Sequence, residues 1–332
     1  MKVCIVGAGA IGGFLGTRLA LAGRTQVTAL ARGATLAALR SRGWRLSERG
    51  SLHTAAAVAS DDAIELGRQD IVFLAVKGQA LPELAPAILP LLHPETIVVP
   101  AMNGVPWWFS EVLPTLGNAP LETVDPGGVT ARSIPLRQVL GCVLHVSTSC
   151  VEPGFVVHTV GHGIILGEPA GGSSERAQRV ADVLSHAGFD VSCSRWVASD
   201  IWYKLWGNMT SNPLSAITGA TVDRLLADEC VRTFCAAAMR EASDIGTRIG
   251  CAIAQTPDDR FKMARALGAF RTSMLQDAEA GRPIELDALV SAVREIGQRV
   301  GVPTPTLDAI FGLARVFGQV HGLYPVADGG RA

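Results

Sequence analysis

Three polar residues recur at every fourth position within 201–217: Lys204, Asn208 and Asn212, set among Trp202, Leu205, Trp206, Met209 and Ile217. On an α-helix, residues four apart drift by only about 40°, so the three share one face spanning roughly 12 Å. The solvated side of an amphipathic helix is the plain alternative, but such faces carry Glu, Lys and Arg, and asparagine is a poor interior helix residue. The stripe reads instead as a substrate site. It offers one ammonium, able to give a proton and carry positive charge, beside two amides that donate and accept hydrogen bonds. Pro213 disfavours helical backbone at Asn212, which predicts that the helix kinks or ends there with that amide turned inward.

A second set of residues acts by lacking side chains. Gly7-Ala8-Gly9-Ala10-Ile11-Gly12 follows the apolar run Lys2-Val3-Cys4-Ile5-Val6 and opens the helical pattern of Phe14, Leu15, Leu19 and Leu21. Strand, glycine loop and helix in this order form the context that a dinucleotide fingerprint requires. Gly7 permits the tight turn, Gly9 lets the backbone approach a pyrophosphate, and Gly12, with Gly16, lets helix and strand pack closely. The N–H groups of Ala10 and Ile11 then open a helix whose positive end faces the phosphates. The next strand, 26–30, ends without the Asp or Glu that would hold a ribose 2′-hydroxyl; Arg32 stands there instead. A guanidinium suits a 2′-phosphate, so NADP is expected rather than NAD.

Two further strands reach the same crevice. Residues 70–76 end on Lys77, and 96–100 lead to Asn103-Gly104. In an open α/β sheet the carboxyl ends of strands line the ligand crevice, which puts Lys77 and Asn103 where cofactor and substrate meet. Later in the chain, Gly281 and Pro283 separate two helical patterns, the first as a C-cap and the second as an early residue of the next helix. Glu285 then falls in a first helical turn, and Ser273 lies on the helix before.

The supporting elements follow from periodicity and turn residues. A helix is expected over 34–42, a small hairpin at 44–46 and 53–58, and a proline-broken helix over 81–92. Short β-like runs between 123 and 168 read as antiparallel strands extending the first sheet, followed by a helix over 173–187 and a last strand over 189–192. Helical patterns then take over, at 201–212, 222–250, 260–280, 285–300 and 305–322. The fold class is therefore α/β: an N-terminal Rossmann-type domain with a mostly parallel sheet (1–197), an all-α C-terminal substrate domain (198–323) and a frayed tail (324–332).

Composition narrows the function. With 48% apolar residues and a formal net charge of −1, the chain of 332 residues is neither disordered nor an electrostatic nucleic-acid binder. The strand pattern starts at residue 2, leaving no room for a signal peptide, and the most apolar stretch, 84–92, is too short and proline-broken to span a bilayer. Seven cysteines without CxxC spacing suit buried thiols in the cytoplasm. His158 and His162 have a ligand-like interval but no Cys or carboxylate beside them in sequence, so no metal is expected.

Taken together, these residues resemble ketopantoate reductases (2-dehydropantoate 2-reductases) over nearly the whole chain. Four motifs carry the resemblance: the Gly7–Gly12 loop, the Lys77 strand end, Lys204-x3-Asn208-x3-Asn212-Pro213, and Ser273-Met274-Leu275-Gln276-Asp277 followed by Glu285-Leu286-Asp287. The resemblance implies reduction of a 2-oxo acid, ketopantoate, by NADPH. It implies Lys204 as the general acid at the carbonyl oxygen and Asn208, Asn212 and Ser273 on the substrate hydroxyl and carboxylate. Glu285 would fix substrate and lysine, Lys77 and Asn103 would complete the junction with the nicotinamide, and Arg32 would take the 2′-phosphate. Departures surround the substrate: Ile284 and Leu286 flank Glu285, Phe270 replaces a residue that can be polar, and Pro106-Trp107-Trp108 enlarges the Asn103 loop. These favour, as an alternative, another branched or aromatic 2-oxo acid. A non-catalytic NADPH-binding sensor is the alternative of another class, against which Lys204 and Glu285 argue. The helical second domain is compatible with a homodimer.

Overall fold

The computed structural model describes residues 1–266 and 268–326. The first apolar run forms β1 (Lys2–Val6), with Val3, Cys4, Ile5 and Val6 all buried. A strand covered on both faces shows no polar alternation, which is why it reads as an unbroken apolar run. It passes through the glycines into α1 (Ala10–Ala22), β2 (Gln26–Leu30) and α2 (Gly33–Arg42). A hairpin, β3 (Trp44–Glu48) and β4 (Ser51–Ala55), comes next, then β5 (Val58–Ser60), α3 (Ala63–Leu66), β6 (Ile71–Leu74), α4 (Leu81–Ala87) and β7 (Ile97–Pro100). Strands β5, β2, β1, β6 and β7 lie side by side in that order, all parallel. The carboxyl ends of β1, β6 and β7 thereby share one edge. Val58, expected in the hairpin, instead pairs with Thr28 in this sheet.

The β-rich stretch that follows does not extend the parallel sheet as expected. After α5 (Val129–Ser133), a short helix inside the 123–168 stretch expected to form strands, the chain makes a long hairpin, β8 (Gly141–Glu152) and β9 (Phe155–Gly167). It continues through α6 (Glu175–His186) to β10 (Asp190–Ser194). β9 pairs with β8 on one side and with β3 and β10 on the other, making a second sheet; just ahead of β8, Val139 forms an isolated parallel bridge to Val98 of β7. The physical reason is α1. It is apolar on most sides, with Gly12, Gly13, Phe14, Leu15, Gly16 and Leu19 all buried, so more than one face must be covered. A Cβ on Gly16 would come within 2.4 Å of the Trp44 ring and one on Gly13 within 2.5 Å of Val156, so the second sheet closes directly over the glycine face of the helix.

A polar cluster fastens this junction. Glu48 of β3 accepts from Arg18 of α1 (2.6 Å) and lies 3.0 Å from His158 and 2.9 Å from His162 of β9. Glu48 is the carboxylate that sequence spacing did not place beside the histidine pair. Three potential metal-ligand atoms lie within 4.8 Å of one another here. Arg18, 3.0 Å from His162 as well, already supplies the positive charge, and the Phe14 ring stacks on His158 at 4.7 Å. Burial alone would raise the Glu48 carboxyl, but Arg18 and the two histidines hold it below the ordinary value of 4.5. A depressed carboxyl stabilises the fold above its unfolded pKa and loses that contribution as pH falls. Replacing Glu48 by Gln is therefore expected to cost about 3 kcal/mol at neutral pH. Thermal melts of wild type and variant should converge as pH drops below 4.5, and a gap independent of pH would refute the ion-pair account.

The second part of the chain is helical, as expected, with several boundaries moved. α7 (Val197–Thr218) continues past Pro213, where the helix was expected to end or kink. The lost bond to the Met209 carbonyl is outweighed by packing: Asn212, Pro213, Leu214, Ser215 and Ala216 are all buried, and the Ser215 hydroxyl donates to the Asn212 carbonyl. The stretch 222–250 divides into α8 (Val222–Ala227) and α9 (Glu229–Arg248), because the Asp228 side chain accepts from the Val231 N–H and caps a new helix. The stretch 260–280 also divides, into α10 (Pro257–Arg265) and α11 (Ser273–Glu279), each begun by a threonine cap, Thr256 and Thr272; Leu267 lies outside the described residues. A π-helical turn (Asp287–Ser291) leads into α12 (Ala292–Arg299), and α13 (Pro305–Val320) completes the bundle. Tyr324, expected in the tail, is anchored by its hydroxyl to Asp287 at 2.6 Å; residues 327–332 lie outside the described residues. Trp202 and Trp206 bolt α7 to α9 by donating to the Ala242 and Met239 carbonyls. No helix among the described residues is long and apolar enough to cross a membrane.

Candidate active site

The glycine loop has the geometry its spacing implies. Gly7 has φ +89°, and a Cβ there would strike Val76 at 2.5 Å; one on Gly12 would lie 1.9 Å from the Gly7 carbonyl oxygen. Gly9 differs. No atom lies within 4 Å of its missing Cβ, so its bareness serves the open side of the loop rather than internal packing. The first turn of α1, with Ala10 and Ile11, contains no acidic residue to oppose its positive end. Arg32, just past the end of β2, is exposed, and among the described residues no hydrogen bond engages its guanidinium. The open side of the loop and the unopposed helix N-terminus are compatible in chemistry with a dinucleotide phosphate.

On α7, Lys204 and Asn208 line a cleft of about 160 Å³ together with Asn103. Lys204 donates to the Asn103 Oδ1 at 2.7 Å, joining the β7 loop to the helical part. Asn103 is held by its neighbour. Gly104 has φ +84°, the Val105 N–H donates to the Ala288 carbonyl at 2.9 Å, and a Gly104 Cβ would lie 2.5 Å from that same carbonyl oxygen. The common turn signal Asn-Gly is thus a docking point on the π-helical turn. Burial pushes the Lys204 ammonium down to about 8, against the pull of the Glu285 carboxylate. Asn212 is buried and its amide reaches Ser273 Oγ at 3.5 Å, at the exposed start of α11.

Glu285 lies one residue before the helix rather than in its first turn, and Pro283 is in the extended segment leading to it. The Gly78 N–H donates to Glu285 at 3.4 Å. Burial raises its carboxyl above the ordinary carboxylate value, although Lys77, the Gly78 N–H and Lys204 oppose this. No hydrogen bond or ion pair joins Lys204 to Glu285 among the described residues; they interact through space. Lys77 is engaged across the cleft, donating to the Asp277 carboxylate and to the Pro283 carbonyl. Asp277, buried and also paired with Arg282 at 2.9 Å, was assigned no role from sequence. Its signal was there: Asp277 follows Ser273 by four positions and so shares its helix face.

The cleft continues behind the Lys204–Asn103 pair. Its walls there are Met102, Val105, Trp107, Trp108, Val143 and Leu205, and both indoles are fully buried.

Comparison with known proteins agrees with this arrangement. The family profile described as Ketopantoate reductase PanE/ApbA matches residues 3–171, and the profile of that family's C-terminal part matches residues 197–317. The 2-dehydropantoate 2-reductase of Mesorhizobium japonicum is 44% identical over 325 residues, 98% of this chain and 100% of that protein. The crystal structure of a candidate ketopantoate reductase from Ralstonia solanacearum has a TM-score of 0.94 at 53% identity, covering 97% of this chain and 99% of that one. D-mandelate dehydrogenase, solved with NADH and anilino(oxo)acetate, shares the fold with a TM-score of 0.84 at 19% identity, over 97% and 100% of the two chains. Profiles that together span most of the sequence and a full-length relative at 44% identity lead to one assignment: the chain belongs to the ketopantoate reductase family.

Proposed function

We propose that the chain reduces 2-dehydropantoate to pantoate with NADPH, in the cytoplasm and as a homodimer, with nucleotide domain 1–197 and substrate domain 198–323. The observation that carries this reading is the 2.7 Å bond from Lys204 to Asn103, which sets a proton donor at the carboxyl edge of the parallel sheet. Gly7, Gly9, Ala10, Ile11 and Gly12 cradle the pyrophosphate, Arg32 pairs with the 2′-phosphate, and Lys77 and Asn103 border the nicotinamide. The cofactor supplies the hydride. Lys204 protonates the carbonyl oxygen as negative charge develops there, and Asn103 aims its ammonium. Asn208, Asn212 and Ser273 orient the substrate by hydrogen bonds. Glu285 offers the Lys204 ammonium a carboxylate partner when the cleft tightens.

Steady-state oxidation of NADPH with ketopantoate, with NADH in parallel, tests the reading. Efficient turnover means kcat/KM above about 10⁴ M⁻¹s⁻¹ with NADPH. The variant Arg32→Ala should raise the KM for NADPH by roughly 10- to 100-fold and leave that for NADH unchanged, as expected for loss of charged hydrogen bonds to one phosphate. Equal effects on both cofactors would assign Arg32 to the fold rather than to the 2′-phosphate. The aromatic-walled cleft of about 160 Å³ favours a second reading, a bulkier branched or aromatic 2-oxo acid, since a cavity of about this size accommodates benzene. Weak turnover of ketopantoate beside strong turnover of such an acid would establish it.

A further inference from the structure

Arg260, in α10, lies flat against α7. Its Cζ is 5.0 Å from the centroid of the Tyr203 ring. A Cβ on Gly207 would sit 2.8 Å from its Nε and 3.0 Å from its Nη2. The guanidinium therefore rests on the α7 backbone beside Lys204 and Asn208, and it does so because residue 207 has no side chain. Glycine inside a helix costs roughly 1 kcal/mol relative to alanine, and here it makes room for a cation.

Among the described residues the cation has no acceptor. Other half-buried arginines are paired with a carboxylate: Arg18 with Glu48, Arg176 with Glu168, and Arg299 with Glu295. Arg260 is partly buried, yet among the described residues neither a hydrogen bond nor an ion pair engages its five N–H donors. A half-buried guanidinium whose donors are unpaired within the protein is available to an anion that enters from solvent. Gly207, against which it rests, immediately precedes Asn208 and lies three residues after Lys204, so the guanidinium borders the helix face that carries both cleft residues. A planar fork of N–H groups matches a carboxylate in two-point fashion, as a lysine does not.

We propose that Arg260 binds the carboxylate of the substrate, leaving Lys204 free for the carbonyl oxygen of the adjacent carbon. This rests on the 2-oxo acid reading above, and it adds an ionic anchor that Asn208, Asn212 and Ser273, all neutral, do not provide. Gly207 is then a specificity-determining position, since any side chain there displaces the fork.

The test compares wild type, Arg260→Ala and Arg260→Lys with a 2-oxo acid and with its neutral primary amide. Tight NADPH binding, followed by cofactor fluorescence, reports intact folding. For Arg260→Ala the KM for the acid should rise about 10- to 100-fold, the range for lost charge-assisted hydrogen bonds, while kcat changes less than about threefold. The amide should be unaffected, Arg260→Lys should fall between, and added guanidinium should restore part of the loss. A second arm needs no turnover: oxamate, an unreactive isostere, is titrated into the NADPH complex. Its affinity should drop at least about tenfold in Arg260→Ala. Absence of turnover of every 2-oxo acid by wild type would overturn the functional reading, and the oxamate arm would still decide on Arg260. Equal losses for acid and amide, or unchanged oxamate affinity, would overturn the proposal itself.

Discussion

Replacing Lys204 with alanine is expected to lower kcat by ~10²- to 10⁴-fold, the range for removing a positioned general acid. NADPH affinity should not change, because the Gly7–Gly12 loop and Arg32 do not touch Lys204. The pH profile gives the sharper check. Burial lowers the Lys204 ammonium from 10.5 to about 8. Raising the pH through that value removes the proton to be donated, so kcat/KM of wild type should be level below about 8 and fall tenfold per unit above it. The residual activity of Lys204→Ala should lack this alkaline limb. A wild-type profile level to pH 10, or a variant with undiminished turnover, would remove Lys204 from the chemistry.

Gly104→Ala is expected to reduce kcat/KM by about 10²-fold, although the residue offers no functional group. Two penalties coincide. The backbone there has φ +84°, a conformation that costs an alanine roughly 1–2 kcal/mol, and the new Cβ would lie 2.5 Å from the Ala288 carbonyl oxygen, which cannot move aside as a side chain would. Relief comes from lifting the 103–105 turn off the π-helical turn, which takes Asn103 away from Lys204. Gly50→Ala is the control. It has φ +80° in the β3–β4 turn, with nothing within 4 Å of the missing Cβ, so it carries strain without collision. That variant should lose about 1 kcal/mol of stability and keep full activity. If the two alanine variants had equal kcat/KM, the turn would not be positioning the site.

The sequence was legible where chemistry is local. The unbroken apolar run before Gly7, the glycine intervals and the largely apolar helix are properties of adjacent residues, and they predicted β1, the loop and α1 as observed. The Lys204, Asn208 and Asn212 stripe depends only on the 3.6-residue period, and helical continuity at that point was underestimated, not overestimated. Errors arose where a local preference met a stronger distant contact. Pro213 is disfavoured inside a helix, yet buried packing on both sides kept α7 intact. The apolar runs of 141–167 fit an extension of the first sheet as well as a new one, and the choice fell to the glycine face of α1, which needed covering. Asp228 and Thr272 were read as interior helix residues because their capping role depends on backbone angles that sequence does not display.

The amino-acid sequence by itself determined the class of the protein: a parallel α/β unit with a dinucleotide loop, a helical second part, and a lysine flanked by amides on one helix face. The tertiary structure alone decided how these meet. Lys204 reaches Asn103 across 101 residues, Lys77 reaches Asp277 across 200, and Arg260 reaches α7 through the gap at Gly207. Periodicity acts over a few residues, whereas these contacts are set by the burial of two large apolar cores, so no local pattern encodes them.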